Sequence, residues 1–279
     1  MDKEVWRSIV ERDFAVPEGH AVTEYLPALM EGLGALDPEL RDHLCLEVLW
    51  SWIDAGRFTP GELRQIAGQM LSNLQAGVGE TEGDQVFLRT FSVLILGAII
   101  SYDTKSQTLT GPEVWLVLER GLEYLAAEQD LRGYVPVKGW AHSVAHTADL
   151  LTALAGHPDV AAEDLERLLY AISEKVLAPT RQALVEREGF RLARAVIAVL
   201  KRERLPLERV IAWLDVIAGD QPRRKTFVAG EDNARYHNTE QFLSALYLMV
   251  TYKDVPERVR ETVLPAVHRA LKSFMPNFL

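Results

Sequence analysis

The chain has 279 residues, of which 48% are hydrophobic and 25% charged, proportions that match a soluble globular protein with a substantial core. Forty acidic side chains against 30 basic ones leave a formal charge of −10. This argues against a general binder of nucleic-acid backbones, which needs a Lys/Arg surface, and the one basic run, Arg223-Arg224-Lys225, reads as a solvated loop. The single Cys45 rules out an internal disulfide; it sits among Leu44, Leu46, Val48 and Leu49 as a small core side chain. That usage fits a reducing cytoplasm.

Residues 1–6 are charged and amphipathic, without the apolar run and cleavage site of a signal peptide. The most apolar run, Phe91 to Ile100, is half of the roughly 20 residues that a spanning helix requires. No membrane partner is expected. Apolar periodicity near 3.6 dominates and no convincing strand is visible, so the reading is all-helical, with about a dozen helices.

The first helix runs over 2–12 and the second from Thr23 to Gly32 or Gly34. Asp37-Pro38-Glu39, a capping residue followed by proline, starts a long helix to Ala55. Thr59-Pro60-Gly61-Glu62 closes a capping box on a helix ending near Gly77 or Gly79. Further helices follow at 84–102 and from Gly111-Pro112-Glu113 to about Asp130. A short irregular segment, 131–138, leads into a helix that begins at Gly139-Trp140. Beyond His157-Pro158, helices are read at 162–177, 190–201, 207–217, 239–251 and 257–273, with Asn238 as the N-cap of the fourth. Successive antiparallel pairs near 40–50 residues suggest an irregular α-solenoid or α-α superhelix of HEAT or armadillo type, with a pair of unrelated helical bundles as second choice, and the chain is kept as one domain over 1–279.

The helix after Gly139 stands apart. From Gly139 to Gly156 its one formally charged side chain is Asp149, so it lacks a solvated stripe and reads as buried. At 100° per residue, His142, His146 and Asp149 fall within about 60° of one another. The pieces Arg132-Gly133-Tyr134 and Gly139-Trp140-Ala141-His142, continued by His146 and Asp149-Leu150-Leu151, resemble a bacterial family known as domain of unknown function 2785. The likeness extends to Asn238-Thr239-Glu240-Gln241-Phe242. It implies a bacterial all-helical protein and carries no activity to transfer.

Two imidazoles at i, i+4 can reach one metal ion, with Asp149 adding an oxygen or orienting a ring. The zincin pattern fails, because Ser143 stands where that class has its glutamate. A hydrolase using a divalent metal such as zinc would draw further ligands from Asp103, Glu188, His237 or Glu240. The favoured expectation is a non-catalytic binding or scaffold protein without cofactor. Its groove, near Arg132, Tyr134, Trp140, His142, His146 and Asp149, takes a protein segment or small molecule. In that reading the His/Asp set is satisfied internally, with Arg132 tying the irregular loop to Asp149.

Overall fold

The computed structural model describes residues 3–219 and 231–275; the basic run 223–225 lies outside them. The regular elements of the described residues are all helices apart from one two-stranded hairpin, and the chain divides into two compact units, Met1–His157 and Pro158–Leu279.

In the first unit the helices are α1 (Lys3–Glu11), α2 (Val22–Gly32), a π-helix (Glu39–Leu46) running straight into α3 (Glu47–Asp54), α4 (Pro60–Asn73), α5 (Gln85–Ser106), α6 (Gly111–Ala127) and α7 (Ser143–Gly156). The cap signals act as expected. Thr59 and Glu62 close a capping box on α4, and Thr110 and Glu113 another on α6, each followed by proline in the first turn. Asp37 Oδ1 accepts the backbone N–H groups of Glu39 and Leu40, but the helix it starts is π-wound as far as Leu46. The 3.6 period cannot announce such a shift.

α5 is the core of this unit. Apolar on all sides, it packs against α3, α4 and α7. By length and composition it could cross a membrane, which counting the run 91–100 understated; 78% of its apolar window is buried inside the unit. The α5/α7 contact is close because Gly97 lacks a side chain: a Cβ there would lie 3.5 Å from Leu150 Cα. Gly121 brings α6 to the same leucine, 3.1 Å from its Cδ2. Asp103, near the end of α5, accepts from Thr108 N at 2.6 Å and Leu109 N at 2.8 Å, and its other oxygen meets His157 Nε2 at 3.0 Å, beyond the last turn of α7.

The hairpin pairs β1 (Tyr134–Val135) with β2 (Gly139–Trp140) in antiparallel register, Tyr134 opposite Trp140 and Val135 opposite Gly139. It replaces the helix start expected at Gly139. α7 begins four residues later, and its N-cap, His142, is left-handed at φ 52°. His142 therefore lies outside the helical periodicity that was used to group it with His146 and Asp149.

The second unit holds α8 (Ala162–Leu177), α9 (Glu188–Lys201), α10 (Leu207–Gly219), α11 (Glu231–Tyr252) and α12 (Glu257–Phe274). α11 packs on α8, α9 and α12, and Gly189 allows the α9 approach, since a Cβ there would stand 3.2 Å from Phe242 N. α11 begins eight residues before the expected position. Asn238 is accordingly no cap but a buried mid-helix residue whose Oδ1 accepts Leu184 N at 2.7 Å.

Cys45 is fully buried in the π-helix, and burial pushes its thiol up to about 12 from an ordinary value near 9. The folded state keeps the proton longer than the unfolded chain, so this contribution to stability is complete below pH 9 and is lost as pH rises toward 12. A thiol-exchange reagent at pH 8 is expected to leave the native protein unmodified and to titrate one thiol in urea. Rapid native labelling would show that the site is open.

Candidate functional site

The site begins with a charge that the apolar helix α5 carries inward. Arg89 is fully buried, yet its Nε and Nη2 donate to Glu128 at 2.7 and 3.0 Å and its Nη1 to Ala76 O at 2.6 Å. Glu128, just past α6, also accepts Tyr124 Oη at 2.8 Å and Asp130 N at 3.0 Å. Burial opposes the charge on Arg89, but the hydrogen bonds and proximity of Glu128 outweigh it and hold the guanidinium pKa above its usual value. Burial, then the Glu128 charge, drives the Tyr124 phenol well above the ordinary range.

Asp130 continues the network. Its carboxylate is buried and chelated by Arg132 through Nε at 2.9 Å and Nη2 at 2.6 Å, and its carbonyl accepts Ser143 Oγ at 2.5 Å. Arg132 Nη2 also reaches Gly83 O at 2.9 Å. The loop is thus tied down through Asp130 and Gly83 rather than through the expected Asp149, because a carboxylate two residues away reaches the guanidinium first. Hydrogen bonds from Ala141 N to Gly133 O and from His142 N to Arg132 O close the base of the hairpin.

A second buried guanidinium grips the turn. Arg41, from the π-helix, lies 4.2 Å over the Phe87 ring and 4.8 Å over Phe91, and donates to Ala35 O at 2.6 Å and Lys138 O at 2.7 Å. Its Nε stands 2.8 Å from Asp42 Oδ1 as an ion pair without hydrogen-bond alignment. Burial lowers the pKa of Arg41 and raises that of Asp42. Gly139 is required here twice: its φ is +80°, and a Cβ would stand 2.8 Å from Pro38 Cβ and 3.0 Å from Arg41 Nη2.

So held, the hairpin turns Val135 inward onto Val86, Phe87 and Ala141. Tyr134 (55% exposed) and Trp140 (38%) face outward with their rings edge to face, centroids 5.1 Å apart. Val137, 88% exposed at the tip, adopts φ 70°, a strained setting for a β-branched residue. Behind this surface Trp140 stacks on His142 at 4.3 Å, His142 meets His146 edge-on at 5.7 Å, and His146 meets Phe91 at 5.3 Å. His146 Nδ1 and Thr90 Oγ1 share a 2.9 Å hydrogen bond.

The structure thus brings Arg132, Tyr134, Trp140, His142 and His146 together around the hairpin, while Asp149 sits half-buried one turn further along α7. Among the described residues no group of three or more His, Cys, Asp or Glu side chains is arranged to hold a metal ion. Asp103 is engaged with His157 and its own loop. Glu188, His237 and Glu240 lie in the second unit. There the Glu188 carboxylate accepts Glu186 N at 2.7 Å, with its pKa raised by burial, and His237 stands 3.6 Å from Glu240. The residues that sequence reasoning missed are Arg41, Arg89, Glu128 and Asp130. A lone arginine in the apolar stretch 86–100 is the signal that could have found Arg89, because a charge there demands a buried partner.

Replacing either member of the buried pair, as in Arg89→Met or Glu128→Gln, is expected to cost about 3–5 kcal/mol by leaving the other charge or its donors uncompensated. The double variant Arg89→Met/Glu128→Gln should cost clearly less than the two added together. Urea unfolding of the three proteins measures this, and additive losses would mean that the two side chains act independently.

No curated protein and no solved structure matches this chain. A family model does, over residues 74–248, described as a protein of unknown function, DUF2785. The match takes in the hairpin, α7 and most of α11, and with them both stretches that carry the sequence resemblance; residues 1–73, which include Arg41, fall outside it. The chain belongs to the family of domain of unknown function 2785.

Proposed function

We propose that the protein is a non-catalytic binding protein. Its paired helices act as a scaffold, and its ligand surface is the outer face of the hairpin, with Tyr134 and Trp140 as the contact rings, His142 behind them and Arg132 at the edge. The ligand is a protein segment or small molecule with a flat or apolar face, because exposed aromatic rings supply large contact area at small entropic cost.

The observation that carries this reading is the disproportion between the support and what it supports. Two fully buried guanidiniums, Arg41 and Arg89, and the buried carboxylates Glu128 and Asp130 all converge on a hairpin that presents two aromatic rings and a strained valine to solvent. Buried ion pairs are a poor source of net stability compared with apolar packing. What they provide here is one fixed geometry, which suits a preorganised contact surface. His146, with Nδ1 engaged by Thr90 and its ring against Phe91, supports the rings from within.

With 5-fluorotryptophan at its six tryptophans, the protein can be screened by fluorine NMR against peptides and small molecules. Bound compounds are expected to shift the Trp140 resonance first. Trp140→Ala should abolish their binding while the helical circular dichroism is retained, with Tm lowered by a few degrees for the lost stacking on His142. Binding that survives Trp140→Ala would remove the hairpin from the reading. Protein prepared without a histidine tag is expected to carry no stoichiometric metal; metal that disappears in His142→Ala and His146→Ala would put a metal-dependent hydrolase in its place.

A further inference from the structure

The first unit also contains a cleft whose chemistry owes nothing to the aromatic face of the hairpin. It has a volume of about 860 Å³ and lies beside α2, the π-helix and the first turn of α5. This is the size of a small-molecule site. Its apolar wall includes Trp6, Leu36, Leu40 and Leu88, and small residues, among them Gly34, keep it open.

Charge is distributed in it one-sidedly. Glu31 and Asp84 line the cleft, both solvent-exposed, and no Lys, Arg or His is among its lining residues. Two of its lining amides are engaged with protein partners, Gln69 Nε2 donating to Asn73 Oδ1 at 2.8 Å and Asn73 Nδ2 to Ser92 Oγ at 3.0 Å, while the exposed and neutral Gln85 adds no charge. An apolar cavity with carboxylates at its exposed edge and no cation among its lining residues disfavours an anionic amphiphile and favours a cationic one.

Asp84 is held meanwhile by a lysine from outside the cleft. Lys138 Nζ donates to its two oxygens at 2.6 and 2.8 Å. Exposed pairs of this kind are weak, so a ligand ammonium that also buries an apolar body can displace Lys138.

We propose that this cleft binds an amphiphilic organic cation, an ammonium group on an apolar chain or ring. The apolar part lies against Trp6, Leu40 and Leu88, and the ammonium meets Asp84 and Glu31. Lys138 is the internal occupant that the ligand replaces at Asp84.

Isothermal titration of the full chain with octylammonium, octanoate and 1-octanol tests this, since the three share an apolar chain and differ in charge. Octylammonium is expected to saturate one site, and octanoate to bind at least about tenfold more weakly. Glu31→Gln should weaken octylammonium by roughly threefold, the scale of one exposed carboxylate, and leave octanol unchanged. Lys138→Ala should tighten octylammonium by removing its competitor, and Ala28→Phe, at a half-buried helical position on the cleft wall, should abolish binding of all three. Trp140→Ala should change none of these values, which separates this site from the hairpin surface. Octanoate binding as tightly as octylammonium, octylammonium binding indifferent to both Glu31→Gln and Ala28→Phe, or no saturable octylammonium binding would each overturn the proposal.

Discussion

One carboxylate, that of Glu128, accepts from Arg89 on α5, from the Tyr124 hydroxyl on α6 and from the backbone of Asp130 at the start of the hairpin loop. Through Arg89 it also reaches the carbonyl of Ala76, in the chain that follows α4. A buried charge tolerates no near miss, because an unpaired guanidinium in an apolar interior costs several kcal/mol, on the order of 3–5. The end of α6 therefore has one place to stop relative to α5. Asp130 inherits its position from that stop, and Arg132 and Ser143 inherit theirs from Asp130.

The hairpin is gripped from its other end by Arg41, whose guanidinium is sandwiched with Phe87 and Phe91 and bonded to the Lys138 carbonyl. The strain at Val137 and the left-handed backbone of Gly139 and His142 persist because both ends are determined independently. Packing alone would not need this. Val135 is only partly buried on Val86, Phe87 and Ala141, and the larger rings of the hairpin point away from the core. Buried charge thus fixes a hairpin that exposes Tyr134 and Trp140, and the imidazoles of His142 and His146 form the layer beneath.

Much of the helical frame was legible in the chain. Capping residues followed by proline at Thr59-Pro60 and Thr110-Gly111-Pro112 mark helix starts because they satisfy local N–H groups, a decision made within one turn. The limits of the helix at about 162–177 agree with α8, since its apolar face repeats cleanly between turn signals. The readings that failed were those in which a distant group overruled a local pattern. Asn238 looks like a cap, but its amide oxygen serves Leu184 and the helix runs on through it. The helix assigned from Gly139 starts at Ser143, because the preceding residues pair as strands against β1 and Arg41 closes over Gly139.

Local sequence thus determined the all-helical class, most helix limits, the burial of α7, and the neighbourhood of Arg132, Tyr134, Trp140, His142 and His146, since periodicity and capping are written within a few residues. Tertiary structure alone decided which charges meet and which rings face outward. The ion-paired Arg89 and Glu128 are 39 residues apart, and Arg41 and the Lys138 backbone carbonyl to which it donates are 97 apart. A buried ion pair is selected by the three-dimensional absence of water, which no stretch of sequence displays. The hairpin depends on those pairs, and so does the change of His142 from one member of a helical ligand set into a ring stacked beneath Trp140.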